Sequence, residues 1–152
     1  MRRLDCHDAI KQVLTSYETA RLAVDALIRL STEQPKYLDI SGLDLSSLRS
    51  LAAELHDIYF ARMFARFESC LRNYWRSGVR RPTKPVTEKL IESLAGRLRM
   101  GQDVVDAVED IRRFRNFLVH DEDEPHTRFR IEAAGRQLNT FLARLPIQWG
   151  AN

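Results

Sequence analysis

The sequence predicts an all-α fold, an up-and-down bundle of about five helices, on three observations. Apolar residues recur at helical period in separate stretches along the chain. Glycine and proline are few, six and five, and fall mostly between those stretches, as punctuation between helices requires. No segment shows the period-two alternation of a strand, and no stretch repeats elsewhere. At 152 residues, a single domain spanning 1–152 is expected, long enough to bury a core without disulfides or metals.

The first helix is expected over about residues 8–30, where Ile10, Leu14, Tyr17, Val24 and Ile28 share a stripe. Arg21 interrupts that stripe and reads as an arginine snorkelling at its edge. Residues 31–44 form a connector punctuated by Pro35 and Gly42, with Leu38, Ile40, Leu43 and Leu45 available to pin it to the core. Asp44 or Ser46 is placed to cap the next helix. That helix, about 48–76, is the longest and richest in aromatics. Its apolar face drifts: Leu51, Leu55 and Ile58 lie on one side, and Phe60, Phe64, Phe67 and Leu71 on another. Such drift predicts one end in the core and the other against a second surface, such as another protomer. Thr87 reads as the N-cap of a short helix bearing Leu90, Ile91 and Leu94 and ending near Gly101. Gln102 or Asp103 opens the penultimate helix, and Asp121 to Glu124 with Pro125 end it. A last helix, about 127–145, carries Ile131, Ala134, Leu138, Leu142 and Leu145. Residues 146–152 are expected to fray unless Trp149 docks.

Composition narrows the function classes. The net charge is only +3, but the positive charge is largely arginine, with lysine confined to Lys11, Lys36, Lys84 and Lys89. Arginine suits bidentate phosphate recognition, yet a GC-rich coding sequence produces the same bias. No apolar run reaches a membrane span, and the N-terminal segment has no apolar core of a signal peptide. The two cysteines, Cys6 and Cys70, are too few for a disulfide framework, so a reduced, cytoplasmic setting is expected. The chain has no phosphate-binding glycine loop, dinucleotide-binding turn or Cys-x-x-Cys pair, and no cofactor is expected. His120, Asp121, Asp123 and His126 match no standard metal-ligand spacing, and no metal is expected. Cys70 lacks an evident catalytic partner and reads as core.

The penultimate helix is less ordinary. Val104, Val108, Ile111 and Leu118 form its apolar face, and Arg115 projects into the middle of that face. A guanidinium there cannot lose its charge, so it requires a carboxylate or an anionic ligand. Glu68, between Phe64 and Leu71 in projection, is the candidate carboxylate; its alternative partner is Arg72, one turn on. Asn116 and His120 stand one turn apart on a flank of the same helix, with Arg112 projecting near Asn116 and Arg113 near His120. Farther back, Arg72, Arg76, Arg80 and Arg81 interleave with Tyr74 and Trp75, either as a solvated linker or as a single-stranded RNA path of stacking and phosphate contacts.

These residue types match the needs of RNA phosphodiester cleavage. The reaction takes a base for the 2′-OH, an acid for the leaving oxygen and fixed positive charge for the phosphorane. Histidine can serve as base or acid, and arginine's charge gains value as the transition state gains negative charge. The alternative is structural: a histidine at a helix C-terminus suits the dipole, and Arg115 with Glu68 forms an internal ion pair.

Arg115-Asn116-Phe117-Leu118-Val119-His120 resembles the Arg-x4-6-His motif of the HEPN superfamily, with a polar residue directly after the arginine. Its place near the end of the penultimate helix of a small helical chain is similar to theirs. The stretch Phe64 to Leu71 resembles their earlier long helix, where a glutamate often faces the motif arginine. The resemblance implies a metal-independent endoribonuclease acting as a homodimer with a composite cleft, serving as a toxin countered by an antitoxin or as a phage-defence effector. Arg115 and His120 would then be catalytic, Asn116 would assist, and Glu68 would orient or neutralise Arg115. Toxins of the HEPN and nucleotidyltransferase pairs often carry a tyrosine two residues after the histidine, where this chain has Glu122. Other HEPN domains are non-catalytic modules that bind a protein partner or nucleotide.

Overall fold

A computed structural model of the chain describes residues 2–36, 42–120 and 127–150. The described residues form five α-helices and one π-helical turn with no named strand, an all-α bundle. The helices are α1 (Arg3–Glu33), α2 (Leu45–Asn73), α3 (Thr87–Arg97), α4 (Gln102–His120) and α5 (Ile131–Leu142), with the π-helical turn (Tyr74–Gly78) directly after α2. Leu38 and Ile40 of the expected connector lie outside the described residues.

Helix α1 begins before residue 8 because its first turn is reciprocally tied. The Arg2 amide donates to Asp5 Oδ2 at 2.7 Å, and the Arg2 guanidinium to Asp5 Oδ1 at 3.1 Å. Asp44, not Ser46, caps α2: its carboxylate accepts from the Ser47 amide at 2.8 Å and from the Ser47 hydroxyl. Thr87 does not cap α3; Val86 holds that position without a side-chain bond. Arg21, at the edge of its stripe, pairs with Glu18 at 2.8 Å and Asp25 at 3.4 Å.

Helices α1 and α2 form an antiparallel hairpin: Cys6 meets Cys70 near one end, and the Tyr17 ring meets that of Tyr59 at 5.9 Å, tilted by 56°, farther along. Both thiols are free and buried; the bond to Cys70 and burial raise the Cys6 thiol above its ordinary range. Helix α5 runs antiparallel to α1, with His7 bonded to Asn139 at 2.8 Å and Gly135 close against Leu14 and Met63. A side chain at Gly135 would meet the Leu14 methyl at 3.0 Å, so glycine there lets the two helices approach.

The core is centred on α2, whose Phe60, Met63, Phe64, Phe67 and Leu71 are fully buried. Phe60 meets Phe114 of α4 edge-on at 4.8 Å, and Phe67 meets Phe141 of α5 at 5.6 Å. Of the side that carries Leu51, Leu55 and Ile58, Leu55 is buried while Leu51 and Ile58 are exposed. Helix α2 runs into the π-helical turn, marked by Val79 N–H donating to Tyr74 O at 2.9 Å. Gly78 belongs there because a Cβ would collide with the Tyr74 ring.

The tail does not fray over residues 146–150. Trp149 is buried, packs edge-on against Tyr74 at 5.2 Å, and donates from Nε1 to Asn73 Oδ1 at 2.7 Å. Its backbone also accepts the Arg3 amide at Ile147 O, 2.9 Å. The Arg3 guanidinium donates to Ala143 O and Leu145 O at 2.8 and 3.2 Å, satisfying carbonyls at the end of α5. No helix among the described residues is long and apolar enough to cross a membrane.

Two predictions concern these helix ends. Helix α3 closes with Met100 N–H on Ala95 O at 2.9 Å and Arg99 N–H on Gly96 O at 3.3 Å, which puts Arg99 at φ +51°. Glycine removes the Cβ penalty of that conformation, so Arg99→Gly should raise stability by about 1 kcal/mol, read as a higher urea midpoint at unchanged m. The Asp44 carboxyl is held below its ordinary range by the Ser47 hydroxyl and amide. Its cap therefore contributes above about pH 4 and is lost as the pH falls below that. In hydrogen exchange corrected for intrinsic rates, protection of the Ser47 amide should fall there before that of mid-α2 amides.

Candidate active site

The buried stripe of α4 is Val108, Ile111 and Phe114, each three residues from the last. Val104 and Leu118 are only partly buried. Phe114, absent from the expected apolar face, turns the stripe toward α2. Arg115 consequently lies at the boundary of the core and not at its middle.

There Arg115 lines a small cleft of about 200 Å³ with Phe64, Glu68, Thr87, Arg112 and Asn116. Its Nη1 donates to Asn116 Oδ1 at 3.1 Å and lies 3.4 Å from His120 Nε2. The three motif residues thus meet at one guanidinium. His120 can accept from Arg115 only through an unprotonated Nε2, the form in which that nitrogen can also take a proton. Arg115 Nε is buried and has no acceptor among the described residues. His120 itself is exposed at the last turn of α4, beside exposed Val119.

Glu68 does not pair with Arg115. Its Oε1 accepts from Arg72 Nε at 2.8 Å and Nη2 at 2.6 Å, and from the Thr87 hydroxyl at 2.9 Å. The i,i+4 spacing on α2 wins because it closes a short helical pair before any cross-helix reach is needed. Arg72 also donates from Nη1 to Pro85 O at 3.0 Å, so it is a strut between α2 and the loop ahead of α3. Arg112 is likewise occupied, bonding Glu109 at 2.7 Å and lying 3.7 Å from Glu88. With Glu68 and Glu88 both engaged, Arg115 is the cleft cation with no carboxylate partner among the described residues.

Arg113 is not brought to the cleft. It is exposed, pairs with Asp110 at 3.4 Å, and lines a separate groove of about 700 Å³ walled by Glu88, Glu92, Asp106, Glu109 and Asp110.

The basic stretch divides. Arg72, Trp75, Arg76, Arg81 and Lys84 line a second cavity of about 310 Å³. Trp75 Nε1 donates to Thr83 O at 3.1 Å, fixing the ring against the loop that closes the cavity. Tyr74 is buried beneath Trp149 and offers no stacking surface. Arg80 is exposed at φ +58° and does not line the cavity.

Sequence reasoning missed Glu109 and Thr87, whose partners hold the cleft wall. The i,i+3 spacing of Glu109 and Arg112 was the available signal; the Thr87 contact had none. Among the described residues no three potential ligands cluster as a metal site; Asp121, Asp123 and His126 lie outside them.

Because Arg115 has no carboxylate partner among the described residues, Arg115→Ala should shift stability by less than about 1 kcal/mol. A double-mutant cycle with Glu68→Ala should then be additive within about 0.5 kcal/mol; stronger coupling would restore the Arg115–Glu68 pair.

Comparison with protein-family models, curated proteins and solved structures finds no match to this chain.

Proposed function

We propose that this chain is a metal-independent endoribonuclease whose reacting phosphate sits at Arg115. The observation that carries the reading is the convergence of Asn116 and His120 on a guanidinium with no carboxylate partner among the described residues. A cation already neutralised would attract a phosphodiester weakly. Among the described residues nothing neutralises Arg115, and its Nε is buried, where the electrostatic interaction is stronger.

In the proposed reaction His120 takes the 2′-OH proton through Nε2. The 2′-oxygen forms its bond to phosphorus as the bond to the 5′-oxygen breaks, leaving a 2′,3′-cyclic phosphate and a 5′-hydroxyl. Arg115 holds the equatorial oxygens as their negative charge grows. Asn116 holds the guanidinium without titrating. One chain offers one histidine beside Arg115 among the described residues, while the step takes both a base and an acid. A homodimer with two facing motifs supplies the second, and the exposed end of α4 leaves His120 accessible to it. The HEPN resemblance supports that arrangement and a setting as a toxin with an antitoxin, or as a phage-defence effector.

The test is RNA cleavage in EDTA. Wild type should release 2′,3′-cyclic ends, and His120→Ala should lose on the order of 10²–10⁴ in rate with its helical content intact. Equal cleavage by His120→Ala would remove His120 from the mechanism. Intact RNA with the wild type would favour a non-catalytic module binding a protein or nucleotide.

A further inference from the structure

The Arg115 cleft has two neighbours of opposite charge. On one side it shares Glu88 with the 700 Å³ groove, whose wall holds five carboxylates against the single cation Arg113. On the other side the Glu68–Arg72 ion pair is the partition: Glu68 lines the cleft, and Arg72 lines the 310 Å³ cavity. Loop residues 85–87 run along both, with Pro85 in the cavity and Thr87 in the cleft. No carboxylate lines the cavity.

A polyanion held at Arg115 is therefore repelled along one exit and attracted along the other. The cavity adds what a chain of phosphates alone would not use. Trp75 lines it, partly buried against the core and fixed through Nε1, so the ring is ordered before anything binds. Pro82 and the stem of Lys84 add apolar surface beside it. An ordered indole ringed by Arg76, Arg81 and Lys84 suits a base on the ring and phosphates on the cations. The π-helical turn makes the site, carrying both Trp75 and Arg76 in one wide turn at the end of α2.

We infer that the Trp75 cavity seats an unpaired nucleotide of the same RNA strand whose scissile phosphate lies at Arg115, so the substrate is single-stranded next to the cut. The inference rests on the ribonuclease reading for the strand's second contact, but the cavity can be tested without cleavage. The chain has two tryptophans, and Trp149 is buried where the tail docks on Tyr74 and Asn73. A fluorescence quench by a bound base thus reports on Trp75.

The probe is an eight-nucleotide 2′-O-methyl RNA, which has no 2′-OH to attack. It should quench the fluorescence of the full chain, and the quench should vanish in Trp75→Phe while binding by anisotropy of a labelled probe persists. Removing two exposed cations, Arg81→Ala with Lys84→Ala, should weaken binding about ten-fold and reduce the salt slope by about two. Arg115→Ala should also weaken it, because the probe spans both sites. The inference is overturned by unchanged affinity in the Arg81/Lys84 variant, or by equal binding of a fully paired duplex or of polyglutamate. It is also overturned if AMP alone binds as tightly as the octamer, which would make the cavity a self-contained nucleotide site. If the probe behaves as expected but no RNA is cleaved, the strand path stands and the nuclease reading falls. If RNA is cleaved and the probe leaves Trp75 unquenched, the reverse holds.

Discussion

The edge-to-face contact of Phe114 with Phe60, at 4.8 Å, sets the rotation of α4. Everything at the cleft follows from that rotation. Phe114 also packs beside Phe117, stacked, and Phe129, tilted, so several aromatic rings hold it in one orientation. The next residue along a helix points about 100° away, which leaves Arg115 on the rim with its Nε covered. A residue deeper in the stripe would have forced an internal ion pair; one further out would have left the guanidinium fully hydrated. Removing a buried phenylalanine ring costs about 3–5 kcal/mol, so the geometry of the rim is secured by the core and not by bonds of the rim itself.

Around that rim the charges are sorted. Each carboxylate lining the cleft has an arginine or a hydroxyl already on it: Glu68 with Arg72 and Thr87, Glu88 with Arg112. The struts Arg72 and Arg112 thus remove negative charge that would otherwise compete for Arg115. They also fix the loop before α3 and the wall of the cleft. Structural pairs of this kind add little to stability when partly exposed. Here their consequence is a local field, since they decide which cation remains available.

The fold was largely legible because helical periodicity reports burial directly: the stripes on α3 and α5 are buried as their residues predicted, as is the Phe60 to Leu71 side of α2, while on the side of Leu51, Leu55 and Ile58 only Leu55 is buried. The motif trio was legible for the same reason, since Arg115, Asn116 and His120 share one helix and their separation is set by its pitch. What sequence could not show was the partner choice of Glu68. Both Arg72 and Arg115 satisfied it chemically, and only the relative placement of α2 and α4 decides between them. Phe114 was missed because the stripe it extends drifts round the helix, away from a fixed period. Tyr74 looked like a stacking residue until the tail covered it. That contact joins residues 74 and 149, far apart in the chain and with no periodic signature.

The docked tail has a consequence for how the molecule opens. Trp149 is clamped by Asn73 and Tyr74, at the join of α2 and the π-helical turn, and the Arg3 amide on Ile147 O ties the tail to the first turn of α1. A terminal segment docked on the surface of the bundle can be released at a fraction of the global unfolding free energy, as one cooperative unit. Its release would uncover the Tyr74 ring and loosen the turn that carries Trp75, while the aromatic seat of Phe114 stayed closed. The two neighbouring cavities thus belong to regions of different local stability, one as durable as the core and the other only as durable as the last turn of chain laid over it.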